Sequence, residues 1–110
     1  MNIFHIISKT GWEEAQRAAT YKDKSLASEG FIHFSHLSQV LGSANKHYRG
    51  KTQMLLLEVD PARLKHKIKY EGADPKNLFP HLYGELNLDA VIAVHELISG
   101  PAGFSLPKGL

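Results

Sequence analysis

The run Gly30-Phe31-Ile32-His33-Phe34-Ser35 decides how the rest of the chain is interpreted. Side chains on a strand alternate between its two faces, so we expect Ile32 and Phe34 to enter the core. His33 and Ser35 should then share the opposite face, although a plain core strand carries neither an imidazole nor a hydroxyl. The glycine that opens the run should end the preceding polar segment, because it reaches backbone conformations that are costly for other residues.

The composition is that of one small domain held together by packing alone. The chain has 110 residues, of which 43% are hydrophobic and 22% charged, so a single domain over residues 1–110 can bury a modest core. The net charge is only +2 and no basic run stands out, so nonspecific nucleic-acid binding is left open but not indicated. Cysteine is absent, which excludes disulfides and thiol chemistry and agrees with a reducing cytosol.

Nothing in the sequence indicates a membrane or a targeting segment. The first residues lack the basic and apolar regions of a signal peptide, and no apolar run approaches the roughly 20 residues that span a bilayer. We therefore expect a soluble, cytoplasmic protein without a membrane partner.

Hydrophobic periodicity predicts five or six strands and two helices, which is an α+β fold. A Thr-x-x-Glu capping box at Thr10-Gly11-Trp12-Glu13 predicts the first helix, over 11–19. The polar segment 21–29 is predicted to be a loop with one helical turn at most, and is a plausible mobile lid. The other predicted elements are a central strand at 2–7, a helix at 38–48, an interior strand at 53–59, an alternating strand at 67–70, a second unusual segment at 80–86 and a buried strand within 88–97.

Two histidines lie inside apolar strands, where an imidazole must find hydrogen-bond partners or be costly to bury. Taken singly, His5 and His33 are more often core histidines satisfied by a backbone carbonyl. However, Ser35 and the Pro80–Glu85 segment also break apolar patterns, and such local exceptions tend to mark functional sites. The four exceptions together favour one site.

Seven histidines also raise the question of a metal. His33 and His36 form an H-x-x-H pair, but they face opposite sides of a strand, and zinc needs three or four convergent ligands. We therefore predict no metal site. A metal-dependent hydrolase that uses His5, His33 and His81 is kept as a third hypothesis.

Three motifs resemble the signature of a bacterial family named domain of unknown function 952, and the resemblance covers nearly the whole chain. They are the run 29–35, the opening Ile3-Phe4-His5-Ile6 followed by Trp12, and Phe79-Pro80-His81-Leu82-Tyr83-Gly84. That family is similar in fold to the ADP-ribosyltransferases, and its two histidines resemble those of the RNA 2'-phosphotransferases. The resemblance implies an ADP-ribosyltransferase-like mixed sheet core with two helices.

The resemblance also places His5, His33 and Ser35 in a nucleotide pocket, with NAD as the expected ligand. In enzymes of this fold, NAD loses nicotinamide through an oxocarbenium-like transition state, while the protein positions the ribose and stabilises the developing charge. His5 is then expected to bind one ribose hydroxyl, and His33 with Ser35 the second hydroxyl or the carboxamide.

The remaining roles implied by the resemblance fall on the second half of the chain. Tyr83 is expected to stack on the nicotinamide beside His81. Glu85 is expected to stabilise the cation or to act as a base, with a solvated turn carboxylate as the alternative. Arg49 is a candidate phosphate ligand, with a solvated helix end as its alternative.

The leading hypothesis is an ADP-ribosyltransferase-like domain that binds NAD, ADP-ribose or a phosphorylated nucleotide. It would transfer ADP-ribose or a 2'-phosphate, with an RNA or a protein as the acceptor. The alternative, from a different class, is a nucleotide or metabolite binding module without turnover, so the sequence leaves open whether the protein is an enzyme.

Overall fold

The computed structural model describes residues 1–110 and contains three α-helices and ten short β-strands, which confirms the α+β class. Single 3₁₀ turns lie at Leu37–Gln39, Pro61–Arg63 and Leu88–Ala90. The helices are α1 (Lys9–Ala18), α2 (Lys24–Glu29) and α3 (Val40–His47), and the strands are β1 (Ile3–Ser8), β2 (Thr20–Tyr21), β3 (Ile32–His33), β4 (Met54–Val59), β5 (Lys67–Glu71), β6 (Phe79–Tyr83), β7 (Leu86–Asn87), β8 (Val91–Glu96), β9 (Ile98–Gly100) and β10 (Gly103–Ser105).

Two three-stranded sheets form the main part of the fold. The first has the order β1-β4-β8 and the second the order β3-β6-β5, while β2–β7 and β9–β10 form separate pairs. All of these pairs are antiparallel, so the prediction of a mixed sheet, with both parallel and antiparallel pairs, is wrong. A parallel pair needs a crossover within one sheet, whereas each helix here connects strands that belong to different sheets.

The strand β4, rather than the predicted β1, is central in the first sheet. The outer edge of β1 is nevertheless not free, because Phe4 and Ser35 exchange two backbone hydrogen bonds of 2.8 Å. This bridge joins β1 to the residues that follow β3. It also explains why β1 is buried almost throughout.

The helices differ from the prediction in number and in their starts. Ser8 caps α1 by accepting a hydrogen bond from the Gly11 amide at 3.0 Å, so this helix begins before the predicted capping box. The helix α2 forms where a loop with one turn was predicted, which makes three helices rather than two. It ends at Gly30 with φ of 90°, as the sequence predicts for this glycine.

The core confirms the predicted inward face of the opening run. Ile32 is 0% exposed and Phe34 2%, and both pack with Leu57 and Leu82 between the two sheets. A second buried cluster, around Phe4 and Leu56, packs against α3. None of the helices is long and apolar enough to cross a bilayer.

Candidate functional site

A cavity of about 1010 Å³ lies where α3, β1, the end of α2 and the second sheet meet. Four of the seven sequence-predicted site residues line it: His5, His33, Ser35 and His81. The sequence predicted these residues from separate segments, and the fold brings them to one wall. The other lining residues are Phe4, Ile6, Asp23, Glu29, Phe34, Ser38, Gln39, Gly42, Ser43, Lys46, His47, Tyr48, Glu71, Gly72, Asn77 and Phe79.

Both ring nitrogens of His5 contact the protein. Its Nδ1 lies 2.6 Å from the carbonyl oxygen of His33, which only accepts, so Nδ1 carries a hydrogen and donates. Its Nε2 lies 3.1 Å from the Tyr21 hydroxyl, which is a contact rather than a hydrogen bond in the neutral ring, because Tyr21 donates its one hydrogen to Asp23. Burial lowers the pKa of His5, so the neutral imidazole is favoured. Nδ1 is thus bonded to the main chain and Nε2 lies against Tyr21, whereas the resemblance expects His5 to bind a ribose hydroxyl.

Behind His5, Asp23 anchors a short chain of hydrogen bonds. The Tyr21 hydroxyl donates to its carboxylate at 2.5 Å, and the Ser25 hydroxyl and amide donate at 2.7 and 3.0 Å. Burial alone would raise the pKa of Asp23, but the bonds from Ser25 and Tyr21 outweigh burial and lower it. Burial and Asp23 also raise the pKa of Tyr21, so this hydroxyl keeps its proton. Asp23 thus presents an ionised carboxylate to the cavity.

His33 and Glu29 form the first of two imidazole–carboxylate pairs in the cavity. The Nε2 of His33 lies 2.9 Å from Glu29 Oε2, one helical turn earlier at the end of α2. The His33 side chain is 51% exposed, and its Nδ1 has no hydrogen-bond partner in the protein. The main chain of His33 holds His5 while its side chain faces the cavity.

His81 and Glu71 form the second pair. The Nδ1 of His81 lies 3.0 Å from Glu71 Oε1, which also accepts a hydrogen bond from the Tyr83 hydroxyl at 2.5 Å. The hydrogen bonds from Tyr83 and His81 lower the pKa of Glu71, and the same contact raises the pKa of Tyr83. The Phe31 ring stacks on His81 with centroids 4.0 Å apart and planes within 12°. These contacts fix the orientation of the His81 ring.

The two pairs lie side by side on one face of the second sheet. His33 and His81 are direct partners in the β3–β6 register, and their ring centroids are 5.2 Å apart at an interplanar angle of 80°. Strand alternation puts both on the cavity face, because Ile32 and Leu82 occupy the buried face. The site is therefore built on paired strands rather than on loops.

The charge of the cavity wall is divided between its elements. Lys46 on α3 is the one lysine or arginine in the wall. Three carboxylates, Asp23, Glu29 and Glu71, come from the region of α2 and from β5. The cavity consequently offers one cationic side chain and the hydroxyls of Ser38 and Ser43 from the region of α3, and three carboxylates from other elements.

Three predicted site residues lie outside the cavity. Tyr83 contacts it only through Glu71. Arg49 is exposed beyond the end of α3. Glu85 is 42% exposed, 3.7 Å from Lys22, because β6 ends at Tyr83 and the alternation that would bring Glu85 to the cavity stops there. The predicted alternative for Glu85, a solvated turn carboxylate, describes its position.

The sequence analysis missed Asp23, Glu71 and Lys46 as site residues. Glu71 carried a usable signal, since it extends the predicted strand 67–70, and a hairpin with the Pro80–Glu85 segment would have brought it near His81. Lys46 and Asp23 carried none. No three His, Cys, Asp or Glu side chains are placed to hold a metal ion, so the metal-dependent hydrolase gains no support.

Comparison with known proteins identifies solved structures with a similar fold and the family of the chain. The crystal structure of protein CC0527 from Caulobacter crescentus is 28% identical and superimposes with a TM-score of 0.86, over 94% of this chain and 92% of that chain. The solution NMR structure of CC0527 is 29% identical, with a TM-score of 0.80 over 94% and 90%. No curated protein matches the sequence. The family model described as "Protein of unknown function (DUF952)" matches residues 6–94, so the chain belongs to the DUF952 family that its three motifs predicted.

Proposed function

We propose that this protein is an ADP-ribosyltransferase-like domain whose cavity binds NAD and breaks the bond between ribose and nicotinamide. The observation that carries the proposal is the convergence of His33, Ser35 and His81 on one cavity wall beside ionised carboxylates. A volume of about 1010 Å³ is large enough for a dinucleotide of this kind.

The divided charge of the wall matches a ligand with charges of both signs. NAD carries an anionic diphosphate and a cationic nicotinamide ring. The diphosphate would lie near Lys46, where the hydroxyls of Ser38 and Ser43 add hydrogen-bond donors. The nicotinamide ribose would lie toward Glu29 and Glu71. ADP-ribose alone would fill the first region and leave the acidic region without a cation.

The carboxylates supply what the reaction needs in its transition state. As the ribose–nicotinamide bond breaks, positive charge develops on the ribose, and fixed negative groups close to it lower the barrier. Glu29 and Glu71 take this role in place of Glu85, since both line the cavity and Glu85 does not. The Ser35 hydroxyl, which has no partner within the protein, is available for a ribose hydroxyl.

Calorimetric titration with NAD, ADP-ribose and a 2'-phosphorylated dinucleotide tests the proposal. We expect NAD to bind, and Lys46→Gln to weaken binding about tenfold or more, since a hydrogen bond to a charged group contributes about 1.5–3 kcal/mol. Lys9→Gln is the matched control, because Lys9 is exposed and outside the cavity. The absence of heat with all three ligands at millimolar concentration would refute the proposal. Preference for the 2'-phosphorylated ligand would favour 2'-phosphate transfer instead.

The second candidate is a binding module without turnover. It is favoured by the observation that both nitrogens of His5 contact protein groups, so one of the two histidines expected to contact the ribose faces the protein instead. NAD binding without release of nicotinamide by the wild-type protein would support the module and exclude the transferase.

A further inference from the structure

The Glu71–His81 pair fixes which nitrogen of His81 carries the hydrogen. A carboxylate only accepts, so the contact between Glu71 Oε1 and His81 Nδ1 requires a hydrogen on Nδ1. In the neutral ring, the lone pair then lies on Nε2. Tyr83 donates to the same carboxylate oxygen, which keeps Glu71 ionised and in place.

The lone pair on Nε2 of His81 is open to the cavity. No protein group bonds to this nitrogen. A side-chain nitrogen without a partner is either reached by solvent or fully buried, and the one fully buried example in the chain is Nδ1 of His36. Solvent therefore reaches Nε2 of His81, although the side chain is only 13% exposed. His95 makes a similar contact, with Glu58, but lies outside the cavity.

We propose, on the basis of the proposed function, that His81 is the general base that activates the acceptor hydroxyl. As the acceptor oxygen bonds to C1' of the ribose, Nε2 of His81 takes its proton. The C1'–N bond breaks, and its electron pair leaves with neutral nicotinamide. With water as the acceptor, the products are ADP-ribose and nicotinamide, and the proton rests on the imidazolium.

The groups around His81 favour this proton transfer. Glu71 contacts the ring directly, so its carboxylate stabilises the imidazolium as it forms. The positive charge of Lys69, the β5 partner of His81, would oppose the imidazolium. Its Nζ lies instead over the Tyr83 ring, 4.7 Å from the ring centroid. The Phe31 stack keeps the ring from turning away.

The test compares NAD binding with nicotinamide release in His81→Gln. Removing a general base costs about 10²–10⁴-fold in rate, whereas NAD affinity should change by less than about threefold. Azide, which needs no deprotonation, should restore release in this variant. The matched control is His95→Gln, which removes the equivalent pair outside the cavity and should leave the rate unchanged. Circular dichroism checks the fold of each variant.

A second variant keeps the test decisive if His81→Gln does not fold. In His81→Asn the side-chain amide can still donate to Glu71 but has no group that accepts the proton at the position of Nε2, so nicotinamide release should fall as in His81→Gln and azide should restore it. A wild-type rate in either His81 variant overturns the assignment. If the wild type binds NAD without releasing nicotinamide, His81 is not a base, although binding stands. If it does not bind NAD, the proposed function itself fails.

Discussion

Acidification should destabilise this protein through His5. The imidazole is 5% exposed, and burial lowers its pKa below the ordinary value of 6.5 that it has in the unfolded chain. As the pH falls through that ordinary value, the unfolded chain binds more protons than the folded one. The stability that neutral His5 contributes is therefore fully present above this pH and is lost below it.

The size of the effect follows from the burial. For an imidazole that stays neutral while folded, lowering the pH from about 7.5 to about 5.5 reduces the free energy of unfolding by at most about 1.4 kcal/mol. The carboxylates whose pKa is lowered on folding also stabilise the folded protein, but this stabilisation is lost only at lower pH. They therefore do not obscure the effect of His5 between about pH 7.5 and about pH 5.5. They are Asp23, Glu58, Glu71 and Asp89.

Urea unfolding of the wild type and of His5→Asn across this window measures the effect. The asparagine amide can keep the hydrogen bond to the His33 carbonyl but does not titrate. The substitution should lower stability at every pH, yet the stability of the variant should fall less on acidification, by up to about 1.4 kcal/mol. Equal pH dependence in the two proteins would refute the argument that His5 is buried in its neutral form.

Three further substitutions test the fold and the network behind the cavity. Gly30→Ala should lower the free energy of unfolding by about 1–2 kcal/mol because φ is 90°. Gly42→Ala, at an open position in α3, should raise it by about 0.4–1 kcal/mol. Urea unfolding that changes this free energy in the same direction for both variants would contradict the prediction. Leu82→Ala, in the core, should lower the free energy of unfolding by about 2–5 kcal/mol. Ile92→Ala, at an exposed position, should lower it by about 0.5 kcal/mol or less. Similar thermal unfolding temperatures for the two variants would be inconsistent with the core described. Tyr21→Phe should cost about 1–3 kcal/mol by removing the hydroxyl that donates to Asp23 Oδ1, and wild-type stability would show that this hydrogen bond contributes little.

Much of the fold could be predicted because it depends on local patterns. Alternation predicted the burial of Ile32 and Phe34, and the need for a positive φ predicted the role of Gly30. The direction of strand pairing could not be read in this way, because it depends on where each helix returns the chain. The three helices each lead to a different sheet, and periodicity within one segment carries no information about that.

The candidate site was predictable where a residue broke an apolar pattern and unpredictable where its role depended on pairing. His33, Ser35 and His81 interrupt apolar runs, so they could be identified individually. Glu71 is an ordinary strand-end carboxylate until the β5–β6 register brings it to His81. The prediction for Glu85 failed for a related reason, because it extended the alternation past Tyr83, where the strand ends.

The structure also explains why an imidazole at position 5 serves this fold when both of its ring nitrogens face protein groups. His5 lies on β1 of the first sheet and donates to the main chain of His33 on β3 of the second, next to the Phe4–Ser35 bridge. The two contacts fix the main chain at His33 and Ser35, so both cavity residues are positioned by the first sheet. Phenylalanine at position 5 would fill much of the same space but leave the His33 carbonyl unpaired. His5 is thus best understood as a positioning residue, and its effect on the site should appear through His33.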